Sequence, residues 1–346
     1  MQGRPTLRDV ADAAGVHTAT ASRALNPDTR GLVSPGTARK VLRAAESLGY
    51  QPNPIARSLK TAKSRTIGLV IPDLTNPMFP PMVRGIEDVL APAGYSTLIV
   101  NTDDQAEREQ AQVTSLRARS PEGLIVATAL REHPLLHRLS AENIPLVLVN
   151  RRADGIDVPT VAPDDTLGID LAVRHLVDLG HRRIVHLAGP QHTSTGVDRL
   201  HAFRAAMREH GLEHDRIVVC ERWTEDAGAA GLRAALDSGP GFTAVVAGND
   251  LLALGCYDVC AERGIACPEA LSVTGFNGMP FLDKLRPPLT TVAVPHQDIG
   301  REAARMLLDI IEDPAKPART VRFSPTLIVR GSTAAASPAG TREQPL

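Results

Sequence analysis

Leu7, Val10, Ala11 and Ala14 recur at the three- and four-residue spacing of one helix face, and the run stops at Gly15, a residue suited to a left-handed cap. Thr6 precedes the run as an N-cap, and Asp9 follows three residues on, where the positive end of a helix favours a carboxylate. A second pattern runs from Thr18 to Leu25, with Ala21, Ala24 and Leu25 on the inner side and Thr18, Ala19, Ser22 and Arg23 on the outer. Two short helices across a tight glycine turn predict a helix-turn-helix. Ser34-Pro35 opens a third helix, whose Ala38, Val41, Leu42, Ala45 and Leu48 form an apolar stripe ending at Gly49. The stripes predict a small all-α unit over residues 1–50.

From Thr66 the pattern changes to short aliphatic runs separated by amphipathic ones. Ile67–Ile71, Ser96–Val100, Gly123–Ala127 and Pro145–Val149 read as strands, with a helix from Met78 to Ala93. The series then restarts with strands at Arg183–Leu187, Ile217–Cys220, Ala244–Ala247 and Leu271–Gly275, and with helices around His175, Phe203, Ala230 and Leu254. Strand and helix in alternation predict two parallel-sheet units, with a ligand held where the carboxyl ends of the strands face a cleft.

Between the two regions lies Pro52-Asn53-Pro54-Ile55-Ala56-Arg57-Ser58-Leu59-Lys60-Thr61. Asn53 can cap a helix that Pro54 is shaped to begin. About two turns cannot persist alone, since isolated helices need roughly 12–15 residues. Arg57 and Lys60 offer cations to phosphates, and Leu59 has no evident core to enter. The stretch is read as a hinge helix over residues 51–65 that folds against nucleic acid, with Leu59 as a minor-groove wedge; an ordinary linker with a stray leucine is the competing reading.

Charge supports that division. The net charge of −1 conceals 11 Lys and Arg against 4 Asp and Glu in residues 1–65, and 27 against 35 in the rest. A basic surplus of this kind marks the candidate nucleic-acid surface. No apolar run approaches the roughly 20 residues of a membrane span, and Met1-Gln2-Gly3-Arg4-Pro5 lacks the core of a secretory signal, so a cytoplasmic protein with no membrane partner is expected. Cys220, Cys256, Cys260 and Cys267 fit no metal spacing and read as reduced, mostly buried thiols. His133 and His137 share a helix face without a third ligand and read as solvated; His175, His181 and His186 read as structural. No Walker A, GxSxG, HExxH or GxGxxG pattern is present, so no metal, cofactor or catalytic residue is expected and an enzyme is a distant reading.

The strings TLRDVADAAGVHTATASRALN and VSPGTARKVLRAAESLGYQPNPIARSLKT resemble the DNA-binding headpiece and hinge of the lactose-repressor (LacI/GalR) family of bacterial transcription regulators. TIGLVIPDLTNPMF, HLVDLGHRRIVHLAG, VVAGNDLLALG, LSVTGFN, LRPPLTTVAVPHQDIG and LIVRGST resemble its effector-binding core, itself similar to periplasmic sugar-binding proteins. The resemblance implies an all-α helix-turn-helix headpiece with a hinge helix, then an α/β core of two doubly wound parallel-sheet subdomains. Residues 66–163 with 295–324 would form one subdomain, residues 164–294 with 325–333 the other, and residues 334–346 a disordered tail. It further implies a repressor that sits as a homodimer on a palindromic operator in double-stranded DNA, controlled by a sugar or sugar derivative in the cleft.

Residue by residue, the resemblance maps base reading onto Thr18, Ala19 and Arg23. Arg23 alone has the bidentate reach for a guanine, worth about 1–3 kcal/mol of discrimination. Thr20, Ser22 and Asn26 are phosphate or structural candidates, and Arg57 and Leu59 belong to the hinge. In the cleft it implies Phe79 and Trp223 as apolar walls, Arg199 as a fork onto ligand oxygens, and Asn150, Thr195, Asn249 and Asn277 as further polar contacts. For Asp73 and Asn76 a turn role is the stronger reading. His17 stands where the family usually has a serine cap and Ala21 where it usually has valine, which predicts a weakly started, late-ordering recognition helix. Asn150 and Asn277 stand where sugar-binding members commonly carry aspartate, so the effector is read as a modified or acidic sugar. A cytosolic carbohydrate-binding protein without regulatory DNA binding is the alternative, and steep salt dependence of duplex binding separates the two.

Overall fold

The computed structural model describes residues 5–26, 29–51, 63–213, 216–238 and 241–336. The hinge stretch, with Arg57 and Leu59, lies outside them. The chain divides into two compact units, Met1–Arg65 and Thr66–Leu346.

In the first unit, α1 (Leu7–Ala14), α2 (Thr18–Leu25) and α3 (Pro35–Leu48) enclose a core of Val10, Ala11, Ala21, Ala24, Ala38, Val41, Ala44 and Ala45. Thr6 and Asp9 complete a reciprocal capping box, the Thr6 amide donating to Asp9 Oδ2 at 2.7 Å and the Asp9 amide to Thr6 Oγ1 at 3.3 Å. Gly15 (φ 64°) and Gly49 (φ 62°) end α1 and α3 in the left-handed region. Behind them Val16 N–H donates to Ala11 O and Tyr50 N–H to Ala45 O, both at 2.9 Å, which closes each helix with a Schellman motif. Leu48, expected in the stripe, is 37% exposed; Ala44 takes the inward position in its place.

The second unit begins with β1 (Thr66–Ile71), α4 (Phe79–Leu90), β2 (Ser96–Asn101), α5 (Ala106–Arg117), β3 (Gly123–Val126), α6 (Pro134–Ala141), β4 (Leu146–Val149) and β5 (Thr160–Pro163). The chain then crosses to a second lobe built from α7 (Asp165–Asp178), β6 (Ile184–Ala188), α8 (Ser194–Glu209), β7 (Ile217–Val219), α9 (Glu225–Asp237), β8 (Ala244–Ala247), α10 (Asp250–Arg263), β9 (Ser272–Asn277) and β10 (Thr290–Ala293). It returns for α11 (His296–Glu312) and β11 (Thr320–Phe323), and crosses a last time to β12 (Thr326–Ile328). The sheets run β2-β1-β3-β4-β5-β11 and β7-β6-β8-β9-β10-β12, each with the 2-1-3-4-5 order of a doubly wound fold. All described pairings are parallel except β10 with β12. In both sheets the strand order reverses beside the first strand, which opens a crevice at the carboxyl ends.

Two helices of the first lobe touch through their backbones. A Cβ on Gly85 of α4 would lie 1.9 Å from Gln297 O of α11, and one on Gly300 would lie 2.1 Å from Met82 O. Only glycine admits that crossing. The body runs three residues into the expected tail, because Ala334 N–H donates to Ser272 Oγ (3.1 Å) and Ala336 N–H to Leu179 O (2.8 Å). Cys220, Cys256 and Cys260 are buried and Cys267 half-buried, all as free thiols. Burial pushes the Cys220 and Cys260 thiols up to about 11 and Cys267 up to about 12, so they stay protonated and unreactive at neutral pH.

His133 corrects an expectation. It is 5% exposed rather than solvated, its Nε2 lying 3.2 Å from Glu109 Oε2 and its Nδ1 accepting from Leu130 N–H at 3.1 Å. That amide fixes Nε2 as the protonated nitrogen. His137 is exposed, as expected.

Candidate functional site

In the headpiece, the turn of α2 leaves Ala19 and Arg23 exposed and Thr18, Thr20, Ser22 and Asn26 half-buried. The far end of α2 is tied by Thr29 Oγ1 donating to Arg23 O (3.1 Å) and Arg30 Nε donating to Ala24 O (3.0 Å). Arg23 therefore projects from a helix whose last carbonyls are satisfied. The near end corrects the sequence reading of His17. Its Nδ1 accepts the Ala19 amide at 3.2 Å, so an imidazole does the work usually done by a hydroxyl. His17→Ala is expected to lower headpiece stability by about 0.5–2 kcal/mol, whereas His17→Ser should preserve it. Thermal melts of residues 1–65 within the full chain, followed by helical circular dichroism, check this.

In the body, a cavity of about 190 Å³ lies between the lobes at the strands' carboxyl ends. The structure brings Phe79, Asn150, Thr195, Arg199, Trp223, Asn249 and Asn277 together around it. Phe79 opens α4; Asn150 follows β4; Thr195 and Arg199 ride the first turns of α8; Trp223 precedes α9; Asn249 caps α10; Asn277 ends β9. The βα junctions of both sheets thus supply the lining.

Arg199 is 2% exposed and already held: Nε donates to Asp165 Oδ1 and Nη1 to Gly248 O, both at 2.7 Å. Its guanidinium lies 3.8 Å from the Phe276 ring centroid and 5.5 Å from that of Trp223. Burial pushes the Asp165 carboxyl above its usual range, against the pull of Arg199. Trp223 stands on bare backbone, since a Cβ on Gly189 would lie 1.9 Å from the indole and one on Gly248 3.0 Å. Asn249 Oδ1 accepts the Leu252 amide at 2.8 Å, which leaves its amide nitrogen for a ligand. Asn277, at φ 114°, donates across the lobes to Met78 Sδ at 3.6 Å. Asn150, at φ 68°, keeps a buried Oδ1 with no partner among the described residues.

Beneath this floor Asp250 is fully buried, accepting from Thr291 Oγ1 (2.5 Å) and Met279 N–H (2.9 Å), and burial pushes its carboxyl up to about 7. Sequence reading missed the charged part of the lining: Asp103, Asp104, Arg151 and Arg222. Arg151 reaches Asp104 at 3.3 Å, and both follow strand ends, where topology rather than any motif directs them inward. Asp73 and Asn76 do both jobs, since each line the cavity while Asp73 Oδ1 accepts Thr75 N–H (2.8 Å) and Asn76 Oδ1 accepts Met78 N–H (3.2 Å). On one flank the lobes are clasped by the Arg152–Asp198 ion pair and by Arg152 N–H donating to Ser194 Oγ (3.0 Å).

Comparison with known proteins matches these two units separately. Residues 6–53 fit the family of bacterial regulatory proteins, lacI family, and residues 173–333 the periplasmic binding protein-like domain. The ribose operon repressor of Halalkalibacterium halodurans is 36% identical over 95% of this chain and 97% of its own. The lac repressor dimer bound to operator and an anti-inducer superposes at TM-score 0.86 with 26% identity, covering 96% of this chain and all of that one. A LacI family transcriptional regulator from Enterococcus faecium with bound ribose superposes at TM-score 0.69 with 31% identity, covering 79% of this chain and all of that one. No described helix is long and apolar enough to cross a membrane. A capped helix-turn-helix, two doubly wound lobes around a cleft, and likeness along nearly the whole chain lead to one conclusion: the chain belongs to the LacI family of bacterial regulatory proteins.

Proposed function

We propose that the effector of this regulator is ribose or a small neutral sugar close to it, and that Phe79, Asn150, Thr195, Arg199, Trp223, Asn249 and Asn277 hold it. As a LacI-family repressor the protein binds operator DNA as a dimer and answers to a small molecule in the cleft. Thr18, Ala19 and Arg23 are proposed to read bases, Thr20, Ser22 and Asn26 to position the phosphates, and Arg57 and Leu59 to engage the backbone and minor groove from the hinge. No catalytic step is assigned to the cleft.

The observation that carries the effector reading is the charge balance of the lining. Arg199 is matched by Asp165 and Arg151 by Asp104, and the acids of the lining (Asp73, Asp103 and Asp104) equal its bases (Arg151, Arg199 and Arg222) in number. No surplus cation waits for a carboxylate or phosphate, while amides and an indole face suit hydroxyls and C–H patches. This moves the reading of Asn150 and Asn277 from an acidic sugar toward a neutral one. The bound ribose in the Enterococcus relative and the name of the Halalkalibacterium repressor support the same sugar.

The test is a sugar panel followed by Trp223 fluorescence, with Trp223→Phe as the silent control and calorimetry for affinity. Ribose is expected to bind, and ribose 5-phosphate to bind at least about tenfold more weakly, because its charge would be buried unmatched. Tighter binding of the phosphorylated or acid sugars would reinstate the acidic reading.

A further inference from the structure

Two buried arginines line the cleft, one from each lobe, and the protein holds them unequally. Arg199 of the second lobe spends Nε on Asp165 and Nη1 on the Gly248 carbonyl, both at 2.7 Å. Arg151 of the first lobe is 5% exposed, yet its Nε has no hydrogen-bond partner among the described residues. The one described bond of its side chain is long, from Nη1 to Asp104 Oδ1 at 3.3 Å. A guanidinium carries five N–H donors, and a buried cation that leaves most of them unused costs desolvation that the empty protein does not recover.

The backbone is bent to place this group. Asn150, at φ 68°, is the centre of a three-residue turn in which the Arg151 amide donates to Val149 O at 2.8 Å. Such a turn with a positive central φ is rare and strained, and here it ends β4 and brings Arg151 to the cavity wall. On the loop after β2, Asp103 and Asp104 both adopt φ 53°, left-handed backbone that residues with a side chain seldom take. Asp103 is occupied by Asn101 and Arg108, whereas the exposed Asp104 carboxylate has Arg151 as its described partner and lone pairs to spare. Strain of this kind gathers where a site must aim side chains that packing alone would not.

We propose that Arg151 and Asp104 form a specificity-determining pair of the effector cleft. The guanidinium donates to one hydroxyl oxygen of the bound sugar, the carboxylate accepts from a neighbouring hydroxyl, and the balance of the two charges disfavours anionic sugars. The inference rests on the neutral-sugar reading above and deepens it. A vicinal diol offers an acceptor and a donor side by side, which an ion pair with spare capacity on both members answers. Because the acids and bases of the lining are equal in number, loss of Asp104 alone leaves one cation unmatched and should admit a phosphate or carboxylate.

The experiment compares the full-length protein with Arg151→Met and Asp104→Asn, measuring affinity for ribose and ribose 5-phosphate by calorimetry and the unfolding midpoint without sugar. Arg151→Met is expected to lose about tenfold or more in ribose affinity while its sugar-free midpoint stays level or rises, because an underused buried charge has gone. Asp104→Asn alters an exposed group and is expected to narrow the gap between ribose and its phosphate by about tenfold. Unchanged ribose affinity in Arg151→Met overturns the proposal, as does a sugar-free midpoint lowered by several degrees, which would mark the guanidinium as structural. An unchanged gap in Asp104→Asn overturns it too. If the unaltered protein binds another neutral sugar in place of ribose, the ribose reading fails by itself, and the same comparisons with that sugar and its phosphate decide on the pair. If it prefers the phosphate from the start and Arg151→Met loses that preference, the guanidinium is an anion site and the proposal falls.

Discussion

Arg199→Ala is expected to destabilise the body by about 3–5 kcal/mol and to abolish sugar binding, the largest effect of any single change considered. The reason is Asp165, 6% exposed, which would keep a buried carboxylate after losing the 2.7 Å partner that justifies it. Stability should then depend on pH. Burial already raises the Asp165 carboxyl, and removing Arg199 takes away its main opposing influence. A carboxyl raised in the folded state gives stability that is present at low pH and lost as pH climbs through the raised value. The variant should therefore melt higher at about pH 5.5 than at about pH 7.5, and by more than the unaltered protein does. Joining Arg199→Met with Asp165→Leu removes both charges, and should melt above Arg199→Ala at the higher pH. Sugar binding should stay lost in the double variant, which separates the two roles of Arg199. Thermal unfolding at both pH values and ribose calorimetry measure all of this.

Arg23→Ala is expected to lower affinity for a selected operator by about 1–3 kcal/mol, or roughly 5- to 150-fold, and to relax preference at one base pair per half-site. Arg23 is exposed on the outer face of α2, on a helix closed at its end by Thr29 and Arg30, so the change removes a side chain without loosening its support. A base-reading arginine and a phosphate-binding one differ in what they leave behind. If Arg23 reads a base, affinity for random duplex and the salt slope should barely move; if it serves a phosphate, affinity falls alike on all sequences and the slope shrinks by about 0.9. Anisotropy titrations over a salt series, on an operator selected from a randomised pool and on its single-base variants, distinguish the two.

What the residue pattern announced, and what it did not, follows from the range of the interactions. The headpiece is local: a capping box three residues wide and glycine caps adjoining their helices are written in consecutive positions. His17 was misjudged because preference for Ser, Thr, Asp and Asn as caps describes frequencies, and an imidazole nitrogen can reach the same amide. In the body, aliphatic runs such as Ile67–Ile71 read as strands. The Thr160–Pro163, Thr290–Ala293, Thr320–Phe323 and Thr326–Ile328 strands did not, being short and threonine-bearing, and these include the segments that carry the chain between the lobes. In the cleft, resemblance supplied the seven residues, but no periodicity pairs Arg199 with Asp165, 34 positions apart, or Glu109 with the buried His133. Those partners change the chemistry: a guanidinium expected to fork onto ligand oxygens already donates to Asp165 and to the Gly248 carbonyl.

The central claim is that occupancy of the cleft is coupled to operator binding. It is tested most directly by titrating the full-length dimer with a selected operator duplex in the presence and absence of saturating ribose, at fixed salt. Ribose is expected to shift operator affinity by at least about tenfold, within the usual 1–3 kcal/mol of coupling between sites, and the shift should disappear in Arg199→Met with Asp165→Leu. Superimposable curves for the unaltered protein, with calorimetry showing ribose bound, would contradict it.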